Sequence, residues 1–166
     1  DAFVVGRLPQ PEALGAVALG GWLFDLIFWS VGFLRMGTTG LVAQASGRGD
    51  ALEVSATFAR ALCLALTLGV ALTALSPLCL EPLLSALSGG DALIVTPAHD
   101  YLSARLLGGT AALINYVCLG WLLGRGRAKT ALLLQLTLNL LNVALSLRWG
   151  PLEGVAGVGW ASAVAQ

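Results

Sequence analysis

Long apolar runs divided by short polar breaks dominate this chain. A helix needs roughly 20 mostly apolar residues to cross a hydrocarbon core about 30 Å thick. Four stretches meet that length: about Leu14 to Ala45, Ala51 to Leu75, Tyr101 to Gly124, and Ala128 to Leu147. Residues 1–8 (DAFVVGRL) read as the end of an earlier helix, and residues 154–166 (GVAGVGWASAVAQ) as the start of a later one. The pattern predicts an all-α, polytopic transmembrane bundle over residues 1–166, with four complete and two partial spans. Asp1 stands where a Met would open a complete chain, and Gln166 falls within an apolar helical pattern, so a fragment is expected.

The breaks carry turn chemistry. Pro9 and Pro11 close the first span, GRGD (47–50) separates the second from the third, and GRGRAK (124–129) separates the fourth from the fifth. Asp50 is placed to cap the helix that follows it. The longest connection is expected after Leu75, where Pro77, Pro82, Gly89, Gly90 and Pro97 cluster. It contains an apolar run, CLEPLLSALSG, that either extends the third span or forms an interfacial helix. Lys and Arg favour the cytoplasmic side of a membrane. Arg48 with Arg60, and Arg125 with Arg127 and Lys129, mark the second-to-third and fourth-to-fifth connections as cytoplasmic. Opposite them lie Glu81, Asp91, Asp100 and Glu153, with Arg7, Arg105 and Arg148 at their edges.

Composition supports the membrane reading: 57% of residues are hydrophobic and 11% charged. Soluble domains are about 45–50% apolar and about 25% charged. Mean hydropathy is +0.85. Zero net charge points away from nucleic acid. Cys63, Cys79 and Cys118 are scattered through apolar segments and read as small hydrophobes, without metal-ligand spacing. Gly120 and Gly124 form a GxxxG that suits close helix packing, as do Gly32, Gly37 and Gly40. Trp22, Trp29, Trp149 and Trp160 are candidates for interface anchors.

Polar residues at membrane depth carry the functional signal, because lipid cannot hydrate them and they turn toward a partner or a cavity. Gln135, Asn139, Asn142 and Ser146 are spaced four, three and four residues apart and fall on one helical face. That stripe either glues helices by hydrogen bonds or lines a cavity. Asp1 precedes the Pro9 break by enough to lie about 10 Å below the surface at about 1.5 Å per residue. Asn115 falls near the midplane, so Asp1, Asn115, Asn142 and Ser146 can share one outward-half cavity. A carboxyl group removed from water binds a proton more readily, the property a proton-coupled carrier needs. Asp25 lies at similar depth, with function and structural hydrogen bonding both open. Arg35 is the one basic residue expected at depth, about 15 Å along the same helix and too far to pair directly with Asp25.

The strings FLRMGTTGLVAQASGRGD (33–50) and GWLLGRGRAKTALLLQLTLNLLNVAL (120–145) resemble the multidrug and toxic-compound extrusion (MATE) family, most closely its DinF-like branch. DAFVVGRL resembles the end of that family's first helix, and GVAGVGWASAVAQ the start of its sixth. The resemblance covers essentially the whole chain in order. It implies an N-terminal lobe of six helices, paired with a second six-helix lobe and rocking between outward- and inward-open states. The implied activity is export of small organic compounds, cationic or amphiphilic, in exchange for H⁺ or Na⁺. No cofactor is implied beyond that ion, and the implied location is the inner or plasma membrane. The family's first-helix Asp maps to Asp1, its fourth-helix Asn to Asn115, and its fifth-helix Asn pair to Asn139 and Asn142. Where many relatives carry an Asp four residues after that pair, this chain has Ser146, which leans the coupling ion toward H⁺.

Other classes fit less well. Gly47-Arg48-Gly49-Asp50 matches the GxGD string of intramembrane aspartyl proteases, but Asp50 sits in a charged loop rather than inside a helix. His99 is the only histidine and falls in a predicted external loop, so no Ser-His-Asp arrangement is available. The expected protein is therefore not an enzyme. A lipid-linked-precursor flippase of the same superfamily would be expected to carry more basic residues in its centre. A structural membrane subunit remains the third alternative.

Overall fold

The computed structural model describes residues 11–89 and 91–166. The partial first span at residues 1–8, with Asp1, lies outside them. Six helices follow one another: α1 (Pro11–Ser30), α2 (Phe33–Gly47), α3 (Ala51–Ser88), α4 (Ala92–Leu107), α5 (Gly109–Gly124) and α6 (Ala128–Val164). Among the described residues there is no strand. Three continuous stretches are long and apolar enough to cross a membrane: Gly15–Gly47, Ala51–Ser88 and Ala128–Gly150. Together α4 and α5, bent by 50° at their junction, are also long and apolar enough to count as one broken span.

Boundaries differ from the expectation in three places, each for a local reason. The second span is a single crossing, broken at Val31 and Gly32 into α1 and α2. The break is tight rather than a loop, because Gly32 N–H bonds Trp29 C=O and Leu34 N–H bonds Val31 C=O, both at 3.0 Å. The third span runs on to Ser88, straight through Pro77 and Pro82. Pro77 has no N–H to offer the carbonyl four residues back, that of Thr73. Ser76 Oγ donates to that carbonyl at 2.8 Å and restores the lost bond. The run CLEPLLSALSG is therefore part of α3, which stops at Gly89 in the left-handed conformation (φ 68°) that closes helices.

The long connection expected after Leu75 shrinks accordingly, since α3 ends at Ser88 and α4 begins at Ala92. Asp91 caps α4 by accepting the Leu93 N–H at 3.0 Å. The fourth span thus begins at Ala92 rather than Tyr101, and contains Pro97. In α6 the helix is interrupted at Gly154 (φ 62°, ψ −137°). A hydrogen bond between Asn142 and Ser162 lays the two halves side by side, so the chain reverses there. Asp50 caps α3 as expected, accepting the Glu53 N–H at 2.9 Å.

Helix pairs meet through small residues. A Cβ on Gly120 would stand 2.7 Å from the Arg35 carbonyl oxygen, and one on Gly124 would stand 2.7 Å from that of Thr39. The GxxxG string is therefore the α2–α5 contact. Gly37 and Gly40 do not serve that purpose among the described residues, where a Cβ on either meets nothing within 4 Å. Gly108, Gly159 and Ala163 similarly bring α4 against the last part of α6. Leu23, Phe24 and Phe28 of α1 pack with Leu84 of α3, Leu102 and Leu106 of α4, and Leu113 and Val117 of α5 to form the main core.

Gly120→Val and Gly124→Val should each destabilise the full-length protein by about 1–3 kcal/mol through overpacking. Gly47→Ala, where the added carbon meets nothing within 4 Å, should be close to neutral. Thermal unfolding in detergent, followed by tryptophan fluorescence, reads both. An unchanged unfolding temperature for the two valine variants would show that α2 and α5 do not meet in this way.

Candidate functional site

One cavity of about 520 Å³ opens between α1, α4, α5 and α6. From α1 it takes Phe24, Asp25, Phe28 and Trp29; from α4, Arg105; from α5, Ala112, Asn115 and Tyr116. From α6 come Gln135, Leu138, Asn139 and Asn142, and Ser162 after the reversal. A 3.6-residue period places Gln135, Asn139 and Asn142 on one face of α6, with Leu138 beside them, while Leu136, Leu140 and Leu141 turn outward. Leu132, Leu133, Leu136 and Leu140 are exposed, as an outer apolar surface requires.

The cavity thus gathers five of the eight residues singled out from sequence: Asn115, Gln135, Asn139, Asn142 and Asp25. Asp1 lies outside the described residues. Ser146 does not line the cavity. It shares the face of the stripe but stands a turn beyond Asn142, where α6 is packed; it is 1% exposed and its hydroxyl has no partner among the described residues. Arg35 also stays outside. It is exposed, with its guanidinium 5.9 Å from the ring centroid of Tyr116, a cavity residue. Asn142 Nδ2 donates to Ser162 Oγ at 3.0 Å. That side chain therefore both lines the cavity and ties the two halves of α6.

Among the described residues the most enclosed basic side chain is that of Arg105, 17% exposed, and not that of Arg35. Because α4 begins at Ala92 rather than Tyr101, Arg105 lies thirteen residues into a helix instead of four. Its Nη1 donates to the Tyr101 hydroxyl at 2.9 Å, and its guanidinium carbon lies 3.9 Å from the Phe24 ring centroid. Nη2 stands 3.8 Å from Oδ1 of Asp25. Asp25 therefore has a cationic neighbour, supplied by a different helix from the one considered above. An i, i+4 Tyr–Arg pair in an otherwise apolar stretch was the available signal, hidden by the misplaced helix start. Trp29 lines this cavity while remaining 81% exposed.

Comparison with known proteins identifies the family and the fold. The MatE family matches residues 1–147. DNA damage-inducible protein F of Escherichia coli (strain K12) is 37% identical over 168 residues, spanning 100% of this chain and 36% of that protein. The outward-facing and inward-facing conformations of a multidrug resistance MATE family transporter of the MOP superfamily each match with a TM-score of 0.90 at 28% identity. Those matches cover 99% of this chain and 36% and 37% of theirs.

The fold and cavity define a membrane-spanning helical lobe built around a polar centre. The chain spans just over a third of the length of the relatives it matches. It belongs to the MatE family of multidrug efflux transporters.

If Asn142 and Ser162 tie the halves of α6, a double-mutant cycle of Asn142→Ala and Ser162→Ala in the full-length protein should show a coupling energy of about 0.6 kcal/mol, with about 1.7 kcal/mol as a ceiling for such bonds in membranes. Unfolding in detergent measures it; strictly additive losses would deny the contact.

Proposed function

We propose that this lobe is one half of a secondary antiporter that exports organic compounds, cationic or amphiphilic, in exchange for H⁺. The observation that carries the reading is the convergence of Asn115, Gln135, Asn139 and Asn142 on one cavity of an otherwise apolar bundle. Polar side chains at membrane depth are expensive to keep unless they meet an ion, a cargo or water. Mixed apolar walls with few polar groups suit small organic molecules. The relatives described above as multidrug resistance transporters support the same activity.

The partner is a second lobe of the same full-length protein, rocking against this one to give alternating access. The basic ends of the helices, at Arg48, Arg125, Arg127 and Lys129, face the cytoplasm, and the protein resides in the cell membrane. Asp1 is the proposed proton carrier. Ser146 is a neutral hydroxyl where a second carboxylate would strengthen a Na⁺ site, since hard cations favour anionic oxygen ligands. H⁺ is therefore the preferred ion, with Na⁺ as the alternative.

The test uses the full-length protein in vesicles with an imposed pH gradient. Asp1→Asn should reduce proton-driven export at least about tenfold, equivalent to about 1.4 kcal/mol. Asn142→Ala should weaken export without abolishing insertion. Two well-inserted variants with intact export would remove the cavity from the transport path.

A further inference from the structure

Arg35 carries a full charge inside a membrane span, without a counter-ion among the described residues. The ion pairs there join Arg60 to Glu53, His99 to Asp100 and Arg105 to Asp25, and none involves α2. Arg35 lies twelve residues before the end of α2 at Gly47. That is about 18 Å at about 1.5 Å per residue, well inside a hydrocarbon core about 30 Å thick. Lipid cannot hydrate a guanidinium at that depth, so the charge turns to a partner or to water.

A long basic side chain at depth ordinarily snorkels toward the nearer water. Arg35 leans the other way. Its carbonyl is level with Gly120, and that of Thr39 with Gly124, so α2 and α5 run in parallel toward the basic end of the bundle. The Arg35 guanidinium instead stands beside Tyr116, one turn of α5 farther from that end. Side chains on a helix tilt toward its N-terminus, which here means toward the cavity that Tyr116 lines. The charge is exposed at the cavity rim rather than drawn to the surface. The same side of α2 is open to a neighbour. Thr39 and Ala43 follow Arg35 at four-residue steps, and a Cβ on Gly40 would meet nothing within 4 Å. Small residues of this kind admit a helix closely.

We propose that Arg35 pairs with a carboxylate on a helix of the second lobe, and that this pair holds the Arg125 end of the transporter closed. The inference rests on the two-lobe reading above and adds a gate contact to it. Arg35 stands between the cavity and the basic end, so a contact made there seals that end. Rocking the lobes apart at the basic end breaks the pair; opening the opposite end leaves it made. The pair therefore differs in energy between the two states, which is what an interaction needs in order to bias them.

The full-length protein, freed of its native cysteines and carrying Thr39→Cys, reports the gate in inside-out vesicles. The labelling rate of that thiol by a membrane-impermeant maleimide rises as the basic end opens. Arg35→Gln should raise the rate at least about threefold, as a tenfold shift of a mostly closed equilibrium would. Arg35→Lys keeps the charge and should stay within about twofold of the parent. Each Asp and Glu in the spans of the second lobe is then neutralised in turn. One of these changes should match the Arg35→Gln rate and add nothing to it in the double variant, as coupled partners do. An unchanged rate in Arg35→Gln overturns the inference, as does equal acceleration by Gln and Lys. So does a scan in which no carboxylate reproduces the effect. Proton-driven export by the unmodified protein tests the antiport reading separately. Its absence alongside the expected labelling sinks antiport and leaves the gate; its presence with unchanged labelling sinks the gate alone.

Discussion

Hydrocarbon offers no partner to a backbone N–H or C=O, so each break in a membrane helix has to be repaired from within the protein. Three breaks in this lobe show three repairs. At Val31 and Gly32 the chain tightens into bonds of shorter span. At Pro77 the Ser76 hydroxyl supplies the donor that proline lacks. At the bend between α4 and α5, the single hydroxyl proton of Thr73 is shared between the Gly69 carbonyl of α3 at 3.0 Å and the Leu106 carbonyl of α4 at 3.2 Å. Hydroxyls in apolar helices are therefore structural elements here, and one of them reaches the bend between α4 and α5.

The same solvent removes the hydrophobic drive between helices and leaves close packing to hold them. Glycine and alanine draw α2 onto α5, and α4 onto the end of α6, to distances a larger side chain would not permit. α3 also meets α5 closely, since a Cβ on Gly69 would stand 2.6 Å from Thr110 Cα. Where facing side chains are larger and polar, between α1, α5 and the middle of α6, the helices stand apart and the cavity opens. The distribution of small residues thus decides where the bundle is solid and where it is hollow.

Much of this was legible in sequence because a bilayer makes length and polarity strong constraints. The four crossings, the Asp50 cap, the packing role of Gly120 and Gly124, and the convergence of Asn115 with Gln135, Asn139 and Asn142 all follow from span length or helical period. What was illegible depended on repair or on tertiary placement. The role of Pro77 was left open, because Ser76 beside it does not announce that its hydroxyl will bond the Thr73 carbonyl, and Pro97 looked like loop although it lies inside α4. That error moved the start of α4, put Arg105 at a surface, and left Asp25 without its neighbour. Ser146 failed differently: its face was assigned correctly, but periodicity cannot say where along that face the cavity stops.

The match to outward-facing and inward-facing forms with the same TM-score of 0.90 bears on how such a lobe works. The straight and bent conformations of a MATE match less evenly, at TM-scores of 0.84 and 0.90, so the equivalent lobe does not keep one shape among solved relatives. The glycine-mediated seams of this chain leave little slack between the helices they join. A ligand shifts an equilibrium only through a difference in affinity between two states. If the seams hold, Asn142, Arg105 and Asp25 keep their mutual geometry and a difference in affinity has to come from the wall opposite them; if the seams yield, it comes from the cavity itself.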